Sequence, residues 1–131
     1  ARMAFSTFSN AERGMDALDA ALDAGKIVGL QTSVFWLPYF PEGMRFHFNA
    51  HNIVVYGREG NEYLISDPVF ETPVRCDRAA LMKARFAKGA LAAKGLQYFP
   101  THLPSSVDYE KAIPAAIKRN VRVIVIWVSN C

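Results

Sequence analysis

The sequence predicts an α+β protein, an antiparallel sheet with flanking helices, and three stretches carry that expectation. Phe46–Phe70 reads as two strands joined by a tight turn. Ile53-Val54-Val55-Tyr56 and Tyr63-Leu64-Ile65 are β-branched and aromatic, and Arg58-Glu59-Gly60-Asn61 between them is turn chemistry. Ahead of this hairpin, Ser9-Asn10-Ala11-Glu12 has the form of a capping box, with Ser9 at the cap. Met15, Leu18 and Leu22 then recur at helical spacing, and Gly25 is placed to end the helix. Behind it, Asp77 is placed to cap a second helix over Arg78–Lys88, with Ala80, Leu81 and Ala84 inward and Gly89 as the stop.

Lys26–Trp36 is a continuous apolar run and predicts a buried strand. Gln31 and Thr32 inside it are polar and need partners; one of them is a candidate oxyanion donor. Leu37–Gly43 contains Pro38 and Pro41, which fix φ and disfavour helix, so it reads as a rigid aromatic loop. Leu96–Phe99 suggests a short strand. Ser105 or Ser106 opens a last helix over Tyr109–Arg119, kinked or delayed by Pro114. Val121–Val128 reads as a strongly apolar strand that must be covered by the sheet or by a partner, a second copy of the chain included.

Composition bounds the function classes. At 131 residues the chain is expected to be a single domain, 1–131, and with 51% apolar and 21% charged residues it is of ordinary globular composition. No apolar run reaches the length of a membrane span, and nothing resembles a signal peptide. Two cysteines, Cys76 and Cys131, make no disulfide framework, which points to a reducing cytoplasm. The formal charge of +3 is mild. Basic residues gather between Arg75 and Lys94, as a solvated helix face or a landing site for an acidic partner protein. No aromatic interleaving or recognised motif accompanies them, so nucleic acid is not expected as a partner. No cofactor is expected.

The chemistry concentrates in the hairpin. A three-residue loop, Glu59-Gly60-Asn61, pairs Arg58 with Glu62, Val55 with Ile65 and Ile53 with Asp67. His51 and Asp67 then lie on one face as diagonal neighbours, close enough for an imidazole and a carboxylate to meet. A histidine oriented by a carboxylate is the base half of a nucleophilic triad. In an extended strand His47 and Asn49 share the face of His51, as an active-site wall or a plain exposed edge, while Phe46 and Phe48 turn to the core. Trp36, Tyr39 and Phe40 either line an acyl or amine pocket beside His51 or cover the end of the core. A zinc site from His47, His51 and Asp67 is the rival chemistry; no fourth ligand is evident, and no metal is expected. Along the first helix Asp16, Asp19 and Asp23 share a face and read as solvating charge.

The pattern of a His followed by an apolar run, then G-x-x-G, a second apolar run and S-D-P, resembles the His and Asp/Asn strands of papain-like cysteine enzymes. More closely, LPYF…FHFNAHNIVVYG…YLISDPVF resembles the N-terminal domain of the butirosin-biosynthesis acyltransferase family, relatives of the bacteriocin-leader peptidases, over roughly residues 20–100. The resemblance implies a papain-like fold and a Cys-His-Asp triad with His51 as general base and Asp67 as its orienting partner. It also implies acyl transfer through a cysteine thioester, from an acyl carrier protein to a small-molecule amine. Hydrolysis of a peptide by a cysteine peptidase uses the same parts. In that family the nucleophilic Cys precedes the His near the N-terminus, where this chain has none. The chain therefore reads as a fragment of a larger papain-like domain, or as a non-catalytic relative that binds a carrier protein or peptide. Cys76, just before a helix N-terminus that would lower its pKa, is a further candidate nucleophile.

Overall fold

The computed structural model describes residues 2–129, and for Trp127 and Val128 the backbone alone. The described residues fall into two compact units, 2–101 and 102–129, and the last strand of the first ends at the boundary residue His102. The first unit is α+β, as the sequence predicts. It contains β1 (Arg2–Ser6), α1 (Ala11–Asp23), β2 (Val28–Thr32), β3 (His51–Glu59), β4 (Glu62–Ser66), β5 (Val74–Asp77), α2 (Arg78–Arg85) and β6 (Gln97–His102). The strands form one sheet in the order β1-β6-β2-β3-β4-β5, and β2/β3, β2/β6, β3/β4 and β4/β5 each pair antiparallel.

One face of the sheet carries the core. Ile53 and Val55 of β3 are buried while Val54 and Tyr56 are exposed, the alternation of a strand covered on one side. Met15 and Leu18 of α1 and Leu81 of α2 join Val28, Leu30, Ile53, Val55, Tyr63 and Ile65 in that core. Asn10 rather than Ser9 caps α1, its side chain accepting from the Arg13 amide at 3.0 Å, and Gly25 at φ +76° ends it. Asp77 caps α2 as expected, accepting from the Ala80 amide at 3.0 Å.

Two of the basic residues between Arg75 and Lys94 lie in ion pairs, and a third is interior. Arg78 binds Glu12, Asp16 and Asp19, and Asp19 also accepts from the Tyr63 hydroxyl and Arg58, so the acidic stripe of α1 is a docking edge for the sheet. Arg75 pairs with Glu59 at 2.8 Å. Arg85 is wholly buried. Its guanidinium donates to the carbonyls of Gly14 and Gly95 at 2.8 Å and to Gln97 Oε1 at 3.1 Å, and burial lowers its pKa to about 10.

The hairpin departs from its expected register near the tip. The loop is two residues, Gly60-Asn61, with Gly60 at φ +59° and Glu59 opposite Glu62, so Arg58 faces Tyr63 rather than Glu62. A bulge between Val55 and Gly57 takes up the difference, and Val55 pairs with Ile65 as predicted. The strand expected over 26–36 is shorter: β2 stops at Thr32, and Val34–Trp36 forms a single 3₁₀ turn.

In the second unit, Tyr109–Ser129 is one helix, α3, with Pro114 inside it. The strand expected over 121–128 is therefore corrected to helix. Asp108 accepts from the Lys111 amide at 3.2 Å and starts α3. Once nucleated, each added residue gains a hydrogen bond, which outweighs the few tenths of a kcal/mol that each β-branched residue disfavours helix. Among the described residues no helix is long and apolar enough to cross a membrane. Cys131 lies outside the described residues.

Candidate functional site

His51 opens β3 and Asp67 follows the last residue of β4. The bulge sets their relation. Below it the ladder pairs Val55 with Ile65 and Val54 with Ser66, and Asp67 follows directly on the last paired residue. His51 thus continues the core-facing row of Ile53 and Val55, and Asp67 the row of Tyr63 and Ile65. Their side chains meet: His51 Nε2 lies 2.8 Å from Asp67 Oδ2. An ionised carboxylate only accepts, so Nε2 carries the hydrogen of this contact, and in the neutral imidazole Nδ1 is then the nitrogen with the lone pair. Among the described residues no group hydrogen-bonds Nδ1.

Asp67 is held from three sides. It is 2% exposed, and Oδ2 also accepts from the Tyr39 hydroxyl at 2.9 Å while Oδ1 accepts from the Val69 amide at 2.9 Å. Burial, reinforced by the Asp67 carboxylate, holds the Tyr39 hydroxyl far above its usual pKa, so it serves as a donor. The ring of Phe40 stands edge-on to His51 with centroids 5.6 Å apart, and Phe70 packs on both Phe40 and Tyr39. The polar residues of β2 fix the backbone here. Thr32 Oγ1 donates to the His51 carbonyl at 3.0 Å, and Gln31 Nε2 donates to the carbonyls of Asn49 and Leu91. Both side-chain donors are thereby taken up by main-chain carbonyls rather than turned toward an oxyanion.

Beside the His51 ring opens a cleft of about 330 Å³, lined by Val34, Phe40, Gly43, Met44, Phe46, Phe48, His51 and Val69. Phe46 and Phe48 were expected to turn to the core. Residues 45–50 are not a strand, however, and the two rings, 58% and 39% exposed, form the cleft wall instead. The other site residues expected from sequence lie elsewhere. Asn49 is buried and donates to the carbonyls of Lys88 and Ala90, pinning the loop after α2. His47 stacks on Phe35 with centroids 3.9 Å apart, so it does not join His51 and Asp67 in the zinc arrangement considered above. Trp36 lies under the Lys83 ammonium, and Tyr39 is on the carboxylate side of the pair. None of these four lines the cleft.

Cys76 sits in β5 opposite Tyr63, 2% exposed within the core. Burial, with the nearby Asp77 and Glu62 charges, pushes its thiol up to about 12, the reverse of the lowering expected from the helix N-terminus. It is a structural thiol. What the sequence concealed is the double grip on Asp67, because Tyr39 is distant in sequence; the proline-bounded LPYF stretch was its one signal.

The family model for butirosin biosynthesis protein H, N-terminal, matches residues 1–68, more than half of the 131. The chain belongs to this family. The match takes in both His51 and Asp67. A second family model, a domain of unknown function (DUF4872), matches residues 79–127. Comparison with curated proteins returns no match. Among solved structures, one described as a C39-like peptidase from Bacillus anthracis is similar at 16% identity and a TM-score of 0.49, covering 78% of this chain and 52% of its own. The chain thus spans about half the length of that protein.

Proposed function

We propose that this butirosin biosynthesis protein H-like domain supplies the base half of a papain-like, thiol-dependent acyl transfer. The observation that carries the reading is the 2.8 Å contact of His51 Nε2 with buried Asp67, which leaves Nδ1 without a partner among the described residues at the edge of a cleft. A cysteine thiol other than Cys76, brought by a segment outside the described residues, would give its proton to Nδ1. The thiolate attacks the carbonyl of an acyl thioester, the carbon–sulfur bond of the donor breaks, and the departing thiolate takes the proton back. An amine then attacks the acyl-cysteine, giving an amide and restoring the thiol. Asp67 holds the tautomer and stabilises the transient imidazolium. The donor in this reading is an acylated carrier protein, and a reducing compartment suits a chemistry that needs a free thiol.

The test is mass-spectrometric detection of the acyl-cysteine after mixing the protein that carries this chain with an acylated carrier protein. His51→Ala is expected to lower adduct formation at least about a hundredfold, the usual scale for a general base. Asp67→Asn should weaken it with the fold retained. Undiminished adduct in His51→Ala would remove the base assignment. Release of free acid in place of amide, with an amine present, would move the reading to a hydrolase.

A further inference from the structure

We infer that the cleft beside His51 takes an uncharged, apolar acyl group, aliphatic or aromatic; this rests on the acyl-transfer reading and names its substrate class. Apart from His51 itself the lining holds no ionisable side chain among the described residues. Asp67 is not part of the lining, and its two oxygens already accept from His51, Tyr39 and the Val69 amide. Arg45, the cation of the flanking loop, is turned away from service to a carboxylate: it donates to the carbonyls of Phe40 at 2.8 Å and Pro38 at 2.7 Å. A substrate carboxylate entering this cleft would lose water and gain no side-chain cation from the lining, and an ammonium would find only the Nδ1 acceptor that the reaction itself needs.

The rim points the same way. Met44, Phe46 and Val69 are 46%, 58% and 50% exposed, so large apolar side chains face solvent around the mouth of a cleft whose floor is Val34 and Phe40. Contiguous exposed apolar surface of this kind marks a binding site. At about 30 Å³ per water-sized unit, 330 Å³ holds a group of roughly ten non-hydrogen atoms. Its contact with the His51 ring puts that group next to the reacting carbonyl.

The experiment measures binding of N-acetylcysteamine thioesters to the chain by NMR titration, with no amine acceptor and no turnover. Across acetyl, butyryl and hexanoyl thioesters the affinity should rise with length, by up to about fourfold for each methylene fully buried. The succinyl thioester, similar in length to butyryl but carrying a carboxylate, should bind at least about tenfold more weakly than butyryl. Val69→Glu, at an exposed position, should weaken hexanoyl binding and spare the unfolding midpoint. Absence of hexanoyl binding, no rise with chain length, or equal binding of succinyl and butyryl would each overturn the assignment. Hexanoyl binding untouched by Val69→Glu would also overturn it. Length-dependent binding without acyl transfer by the protein that carries this chain would count against the acyl-transfer reading alone.

Discussion

Tyr39 donates its hydroxyl hydrogen to Asp67 Oδ2 at 2.9 Å, onto the same oxygen that His51 Nε2 approaches. The carboxylate is therefore fixed by a residue of the proline-bounded loop before β3, while the imidazole is fixed by the sheet. Loop and sheet together determine the angle at which His51 is presented.

Removing that donor should be felt without disturbing the ring packing. In Tyr39→Phe the buried Asp67 keeps His51 and the Val69 amide but loses one charge-assisted hydrogen bond, a change of about 1–3 kcal/mol. Urea unfolding is expected to show that loss, with acyl-adduct formation slowed and not abolished. An unchanged unfolding midpoint would mean that the hydroxyl contributes nothing to holding the carboxylate.

Arg85 offers a second test, separate from the chemistry. Its guanidinium reaches α1 through Gly14, the loop through Gly95 and the start of β6 through Gln97. Arg85→Ala leaves a cavity and unsatisfied acceptors among these elements and is expected to cost at least about 2 kcal/mol by thermal unfolding. Lysine keeps the charge but not the planar fork, so Arg85→Lys should recover little. Full stability in the lysine variant would show that charge, and not geometry, matters there.

Alkaline pH should unfold the protein through its buried acids. Cys76 is raised from 9.0 to about 12, and Tyr63 from 10.0 to about 12, in both cases chiefly by burial. A group whose folded pKa lies above its unfolded value contributes stability that is fully present below the unfolded pKa and is lost as pH rises through the folded one. Stability should therefore fall between about pH 9 and 12, and Cys76→Ala should flatten part of that fall. In the native protein Cys76 should also resist thiol reagents at pH 8. Rapid labelling of Cys76 without unfolding would contradict its placement in the core.

Much of this was legible from residue pattern because the hairpin alternates and its polar ends are short. His51 and Asp67 continue the apolar rows of their strands, so parity alone puts them on one face. The loop length was not legible. Glu59-Gly60-Asn61 suits a three-residue turn as well as a two-residue one, and the inner pairs Val55/Ile65 agree in both, because the bulge supplies the offset that the longer loop would have supplied. Phe46–Ala50 misled for a related reason: period-two alternation of aromatic and polar residues is the pattern of a strand. Here Asn49 is drawn to the Lys88 and Ala90 carbonyls, and the segment runs as irregular chain. Val121–Val128 misled because β propensity is weak against a helix already under way. Contacts between sequence-distant residues, such as Tyr39 with Asp67 or Arg85 with Gly14, leave no periodic trace.

The bulge gives β3 one residue of slack. Tyr56 and Gly57 together stand against Leu64, so deleting Tyr56 lets Gly57 keep that partner and Val55 keep Ile65. The imidazole would still face the carboxylate across a plain hairpin. A second deletion between His51 and Glu59 has nothing to draw on. It would swing His51 to the opposite side of the sheet, the side that Val54 faces in the intact strand, and strand Asp67 in the interior with only Tyr39 and its own turn. Tolerance of the site to changes in chain length is thus a stepwise property, spent after a single residue.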